Sequence, residues 1–135
     1  MQTAEELKDY IRARYGQIAS QDAATNASSC CGVGSSCGGE SYRVFSEDYS
    51  RAPGYVAEAD LGLGCGLPLA ALALQPGEVV LDLGSGAGND AFVARAAVGE
   101  EGRVIGVDFT PEMVTKARAN AEKLGYANVE FRQGD

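Results

Sequence analysis

The run from Val79 to Val98 constrains the fold most. Val79-Val80-Leu81-Asp82-Leu83 is apolar except for one acid, the pattern of a parallel strand covered by its neighbours. Gly84-Ser85-Gly86-Ala87-Gly88 follows as a turn, and Asp90 to Val98 is an Ala-rich helix ended by Gly99. The alternation then continues. Gly102 to Asp108 reads as a second strand, and Thr110 caps a helix with Pro111 at its first position. Met113, Val114, Ala117, Ala121 and Leu124 form that helix's buried stripe, Gly125 closes it, and Asn128 to Arg132 is a third strand. Strand and helix alternating in this way predict a doubly wound, Rossmann-like α/β sheet.

The turn between the first strand and helix carries the chemistry. Asp108 ends the second strand, 24 positions after Gly84, where an acid accepts hydrogen bonds from ribose hydroxyls. A dinucleotide fingerprint would place its third glycine where this chain has Asn89. No Gly-Lys-Ser/Thr follows, so the turn is not a triphosphate loop. Asp82 lies just before the glycines, a poor neighbour for pyrophosphate and a good one for a cation. S-adenosylmethionine meets both conditions: it has an amino group, a positive sulfonium and no phosphate. Phe109 stands where it can pack on an adenine face. The plainer alternatives are a strand-end acid, a tight βα turn and a core phenylalanine.

Composition narrows the function classes. Acidic residues outnumber basic ones 19 to 11 for a net charge of −8, which argues against a nucleic-acid partner. No apolar stretch approaches a membrane span, and Met1–Tyr10 lacks the basic and apolar regions of a secretion signal. Both features point to a cytoplasmic protein that does not bind membranes. The 135 residues contain no histidine, so the commonest general base and metal ligand is missing.

Upstream of Glu78 the chain reads differently. Thr3 and Glu6 stand at capping-box spacing, and Leu7, Ile11, Tyr15 and Ile18 follow at helical intervals, with Gly16 near the end. From Gln21 to Glu40 the composition falls to Ser, Ala, Gly and Cys, a mobile loop holding Cys30, Cys31 and Cys37. Ser46 to Gly66 is irregular and ends in Leu61-Gly62-Leu63-Gly64-Cys65-Gly66, ahead of a short helix from Leu67 to Leu74. The cysteines lack the paired C-x2-C spacing of a zinc site, so no metal is expected. A disulfide scaffold does not suit a reducing compartment, which leaves bland thiols or a functional thiol site.

Leu81-Asp82-Leu83-Gly84-Ser85-Gly86-Ala87-Gly88 resembles the first motif of class I S-adenosylmethionine-dependent methyltransferases. With Val104 to Met113, Lys116 to Ala121, Leu63-Gly64-Cys65-Gly66 and the Ser28–Cys37 loop, the chain resembles the arsenite methyltransferase branch. That resemblance implies that Asp82, Gly84, Ser85, Gly86, Gly88, Asp108 and Phe109 hold S-adenosyl-L-methionine, with Asp135 near the adenine amino group. It implies that Cys65 binds trivalent arsenic or enters a disulfide with an upstream cysteine, Cys37 by position, while Cys30 and Cys31 are additional thiols. A thiol reductant such as thioredoxin or glutathione would complete the cycle.

Trivalent arsenic is soft and thiophilic, and its lone pair needs no base before attacking a methyl group. The absence of histidine fits that reaction. The family's sheet has seven strands in the order 3-2-1-4-5-7-6, and its further arsenic-binding cysteines follow the third strand. The expectation is therefore an incomplete fold: residues 1–75 carry the thiols, and 76–135 are the first half of the cofactor domain. Such a piece would have Val79–Leu83 in mid-sheet beside a missing neighbour and would be inactive alone. Methyl transfer to another small acceptor, or a thiol-rich arsenite- or metal-binding module, are the other readings.

Overall fold

The computed structural model describes residues 3–21, 49–61 and 72–135. Helix α1 spans Ala4–Ala19. Its start is a reciprocal cap: the Thr3 hydroxyl accepts the Glu6 N–H at 3.2 Å, and the Glu6 carboxylate accepts the Thr3 N–H at 2.8 Å. Gly16 does not end the helix. A β-carbon there would stand 3.0 Å from the Glu112 carboxylate, so the small residue lets α1 lie close to its neighbour.

The remaining elements alternate as the pattern predicts: β1 at Val79–Leu83, α2 at Asn89–Val98, β2 at Arg103–Asp108, α3 at Pro111–Leu124 and β3 at Val129–Gln133. The three strands are parallel in the order β1-β2-β3. Val80 pairs with Val104 and Val104 with Val129, while Asp82 pairs with Gly106 and Gly106 with Phe131. Both helices pack on this sheet, α2 against all three strands and α3 against β2 and β3, and α1 packs on α3.

The core lies between these helices and the sheet. Phe92, Val98, Val104 and Met113 are fully or almost fully buried, and Phe92 meets Phe131 edge-on at 5.7 Å between ring centroids. Ala19, Val56, Ala59 and Leu61 join the same apolar cluster, so the described residues before β1 share its core. Gly54 makes one of these contacts possible. A β-carbon there would fall 2.6 Å from the Phe92 carbonyl and 2.7 Å from Ala96.

Three expectations change. The strand Val79–Leu83, at the edge of the described sheet as expected for a strand whose next neighbour is missing, is not covered on both faces. Its residues Val79, Leu81 and Leu83 are 69%, 60% and 74% exposed, because among the described residues no helix covers the sheet face they occupy. Leu124, placed in the buried stripe of α3, is half-exposed at the helix end. Boundaries move by a residue: α2 starts at Asn89, and β2 and β3 start at Arg103 and Val129. The thiol loop and residues 67–71 of the expected Leu67–Leu74 helix lie outside the described residues.

Candidate functional site

The site is built at the carboxyl end of β1, where the chain must leave the sheet and enter α2 within five residues. Gly84, Gly86 and Gly88 all have positive φ, +76°, +51° and +99°, a region L side chains rarely enter. They differ in what surrounds them. A β-carbon on Gly88 would stand 2.7 Å from Phe131 and 2.9 Å from Phe92, so this glycine serves packing. One on Gly84 would meet nothing within 4 Å, which leaves its backbone open to a ligand.

The turn is held from three sides. The N–H groups of Gly84 and Ser85 donate to the Val107 carbonyl at 2.8 and 3.0 Å, carrying the β1–β2 ladder into the turn. From α3, the buried Asn120 amide reaches the Ala87 carbonyl at 3.4 Å. Asp108, itself buried, supplies the third tie: one carboxylate oxygen accepts the Gly86 N–H at 2.9 Å and the other accepts the Thr110 N–H at 2.8 Å. Thr110 occupies the cap position of α3, but its side chain makes no capping bond. Asp108 accepts the N–H of Thr110 itself and does not replace the missing capping bond. A carboxylate has about four acceptor directions, so two remain open to further donors.

Asp82 is the electrostatic focus. It is largely buried, its Oδ2 has no hydrogen-bond partner, and its pKa is raised to about 6, first by burial and then by the charges of Asp90 and Asp108. The Ser85 hydroxyl and the Asn89 side-chain oxygen are also buried without partners. Unsatisfied acceptors beside three carboxylates form a place that a cation or an ammonium donor would stabilise.

Two clefts meet at Gly84. One is lined by Asp60, Leu61, Gly84, Ser85, Gly86, Asn89, Asp90 and Met113. The other is lined by Leu83, Gly84, Val107, Asp108, Phe109, Gly134 and Asp135. The polar, acidic side and the side bearing an aromatic ring thus lie on either flank of one open glycine. That division matches a ligand with a charged tail and a flat nucleoside.

Of the predicted cofactor residues, Gly84, Ser85, Gly86, Asp108, Phe109 and Asp135 line the two clefts, Asp82 lies in β1 just before the turn and lines neither, and Gly88 packs behind the turn. Cys30, Cys31, Cys37 and Cys65 lie outside the described residues. Among the described residues no cluster of potential metal ligands occurs, and no helix is long and apolar enough to cross a membrane.

Sequence reasoning passed over Asn89, and also Asp60, whose carboxylate accepts the Tyr55 hydroxyl at 3.1 Å on the acidic cleft's wall. Asn89 had a local signal, since it opens the helix beside the turn. Asp60 had none, because tertiary packing alone brings it there.

Known proteins share these features. Residues 74–135 match a family model described as "Methyltransferase domain". The chain is 47% identical to an arsenite methyltransferase of Halobacterium salinarum, over 97% of the chain and 35% of that protein. It is 51% identical to one of Aquipseudomonas alcaligenes, over 53% of the chain and 21% of that protein. A protein-L-isoaspartate O-methyltransferase of Archaeoglobus fulgidus is 44% identical over 47% of the chain and 29% of its own length. The chain spans about a third or less of the length of these relatives.

Proposed function

We propose that this chain, in which residues 74–135 form part of a class I methyltransferase fold and nearly the whole length is similar to arsenite methyltransferases, serves methyl transfer from S-adenosylmethionine to thiol-bound trivalent arsenic. The observation that carries the cofactor assignment is the buried, unpartnered Asp82 oxygen beside the open Gly84 backbone. An acid there repels pyrophosphate and favours a positively charged tail.

The residues present fit the cofactor. Asp82, Ser85 and Asn89 offer unsatisfied acceptors to its cationic end, Gly84 lets the backbone lie along it, and Asp108 has capacity left for the ribose. Phe109 supplies an apolar face for adenine, and Asp135 accepts from its amino group. Bound S-adenosylmethionine would supply an electrophilic methyl group and leave as S-adenosylhomocysteine, and an arsenic lone pair needs no proton removed before accepting that methyl. Positioning then provides most of the rate, so the absence of histidine from these 135 residues does not stand against the reaction.

Cys65 and Cys37 hold the arsenic as thiolates, with Cys30 and Cys31 as further thiols, and residues 1–75 thus form the substrate part beside the cofactor part at 76–135. Soft thiolates are the natural ligands for this ion. A small-molecule thiol or a dithiol protein such as thioredoxin keeps them reduced, as a cytoplasmic setting would allow.

The glycine half alone does not select the acceptor, since it is also similar to an O-methyltransferase. Cys65 separates the readings. In a protein that carries this chain together with the remaining strands of the fold, transfer of labelled methyl groups from S-adenosylmethionine to arsenite, with glutathione present, should be abolished by Cys65→Ser while cofactor binding persists; the 135 residues alone should not turn over. Unimpaired transfer to arsenite by that variant would refute the thiol mechanism and leave methylation of another small acceptor.

A further inference from the structure

Lys8 and Arg12 stand one turn apart on α1, far in sequence from the glycine turn, and no nucleotide-binding motif contains them. Both nevertheless reach the nucleoside cleft. The Lys8 ammonium pairs with one carboxylate oxygen of Asp135, Oδ2. That contact holds the Asp135 carboxyl below its usual range and raises Lys8 above its own. Arg12 places its guanidinium 5.7 Å from the centre of the Phe109 ring and 3.9 Å from the same Asp135 oxygen. Phe109 and Asp135 both line the cleft beside Gly84.

The far end of α1 is fixed separately. Lys116 donates to the Ala19 carbonyl at 3.1 Å, and Ala19 is buried in the core. The helix is thereby anchored at one end, while its first turns bring Lys8 and Arg12 against Asp135 and Phe109. Exposed ion pairs of the Lys8–Asp135 kind add little to stability, so stability alone does not account for two cations gathered on one acid and one ring.

We propose that Lys8 and Arg12 are positioning residues for purine recognition, and that they make the site select a 6-aminopurine over a 6-oxopurine nucleoside. This rests on reading the glycine turn as a nucleoside site. Lys8 engages Oδ2 of Asp135 and fixes how the carboxylate is turned, which leaves Oδ1 to accept from an exocyclic amino group. A 6-oxo group would instead present an acceptor to that acceptor, a mismatch sites of this kind reject strongly. Arg12 backs one face of Phe109 and leaves the other for the purine ring.

The test titrates S-adenosyl-L-homocysteine and its 6-oxo counterpart, S-inosyl-L-homocysteine, calorimetrically into the full chain and its variants. The unaltered chain should prefer the amino compound. Lys8→Ala should weaken that compound about 5- to 10-fold, the scale of one ordinary hydrogen bond, and lose most of the preference. Lys8→Arg should restore both. Arg12→Ala should weaken both compounds alike, since it acts on the ring platform. If Lys8→Ala keeps the affinity and the preference while Asp108→Ala loses binding, the positioning role is wrong and the nucleoside site stands. If the unaltered chain binds neither compound, the nucleoside reading falls and this inference falls with it.

Discussion

The carboxylate of Asp108 accepts the backbone N–H of Gly86 at 2.9 Å, fastening the end of β2 to the middle of the glycine turn. One acid thereby shapes the turn and faces the nucleoside cleft, so its removal should harm stability and binding together. Asp108→Ala leaves the Gly86 and Thr110 N–H groups without their acceptor and should cost about 2–4 kcal/mol in a urea melt. Affinity for S-adenosylhomocysteine should fall at least about tenfold, as expected when a pair of ribose hydrogen bonds is lost.

Asp82 gives a pH dependence whose sign follows from its pKa of about 6 against an ordinary value of 3.8. The folded chain binds this proton more tightly than the unfolded chain. The resulting stabilisation is complete below about pH 4 and lost as pH rises through about 6. At pH 7 the ligand-free chain therefore carries the cost of a buried charge. Asp82→Asn should raise its stability there by about 2 kcal/mol, measured by denaturant titration at pH 7 and 4.5, with little gain at the lower value. The same variant should bind S-adenosylhomocysteine less well. In the unaltered chain affinity should fall as pH drops below 6, because a protonated Asp82 no longer attracts the ligand's ammonium group.

Gly84 and Gly88 should separate binding from packing. Gly88→Ala combines a left-handed backbone with a β-carbon 2.7 Å from Phe131, and should lower stability by about 3 kcal/mol. Gly84→Ala meets open space, so only the backbone term of about 1 kcal/mol applies. Binding should show the reverse emphasis: the Gly84 β-carbon enters the space where a ligand would lie, and calorimetry should detect a loss larger than the stability change.

The open sheet face makes a further prediction. Leu81 is 60% exposed and lies beside Ile105, which in turn pairs with Glu130. Leu81→Lys should change stability by less than about 0.5 kcal/mol. It should also reduce self-association in sedimentation velocity, since an exposed apolar strand invites pairing with another chain.

How much of this the sequence disclosed depended on the range of the interactions. The glycine turn, Asp82 and Asp108 were legible because a strand, a turn and a helix in succession fix their relative places within about 30 residues. The cap of α1 was legible for the same reason, with Thr3 and Glu6 one turn apart. The exposure of Leu81 and Leu83 was not, since an apolar run does not say which elements cover each face. Thr110 misled in a smaller way. It stands at the cap position, but its hydroxyl is buried without a partner and makes no capping bond, while its own N–H goes to Asp108. Lys8 and Asp135 are 127 positions apart, and Asp60 reaches the turn only through packing around Gly54 and Val56, so no local pattern could have announced either.

The central claim is that Asp82, the glycine turn and Asp108 form a site for a nucleoside with a positively charged tail and no phosphate. Calorimetric titration of the chain with S-adenosylhomocysteine, NAD and ATP tests this directly. Saturable one-site binding of S-adenosylhomocysteine, lost in Asp108→Ala, with no detectable heat from NAD or ATP, is the expected result. Binding of either phosphate-bearing ligand more tightly than S-adenosylhomocysteine would contradict the account.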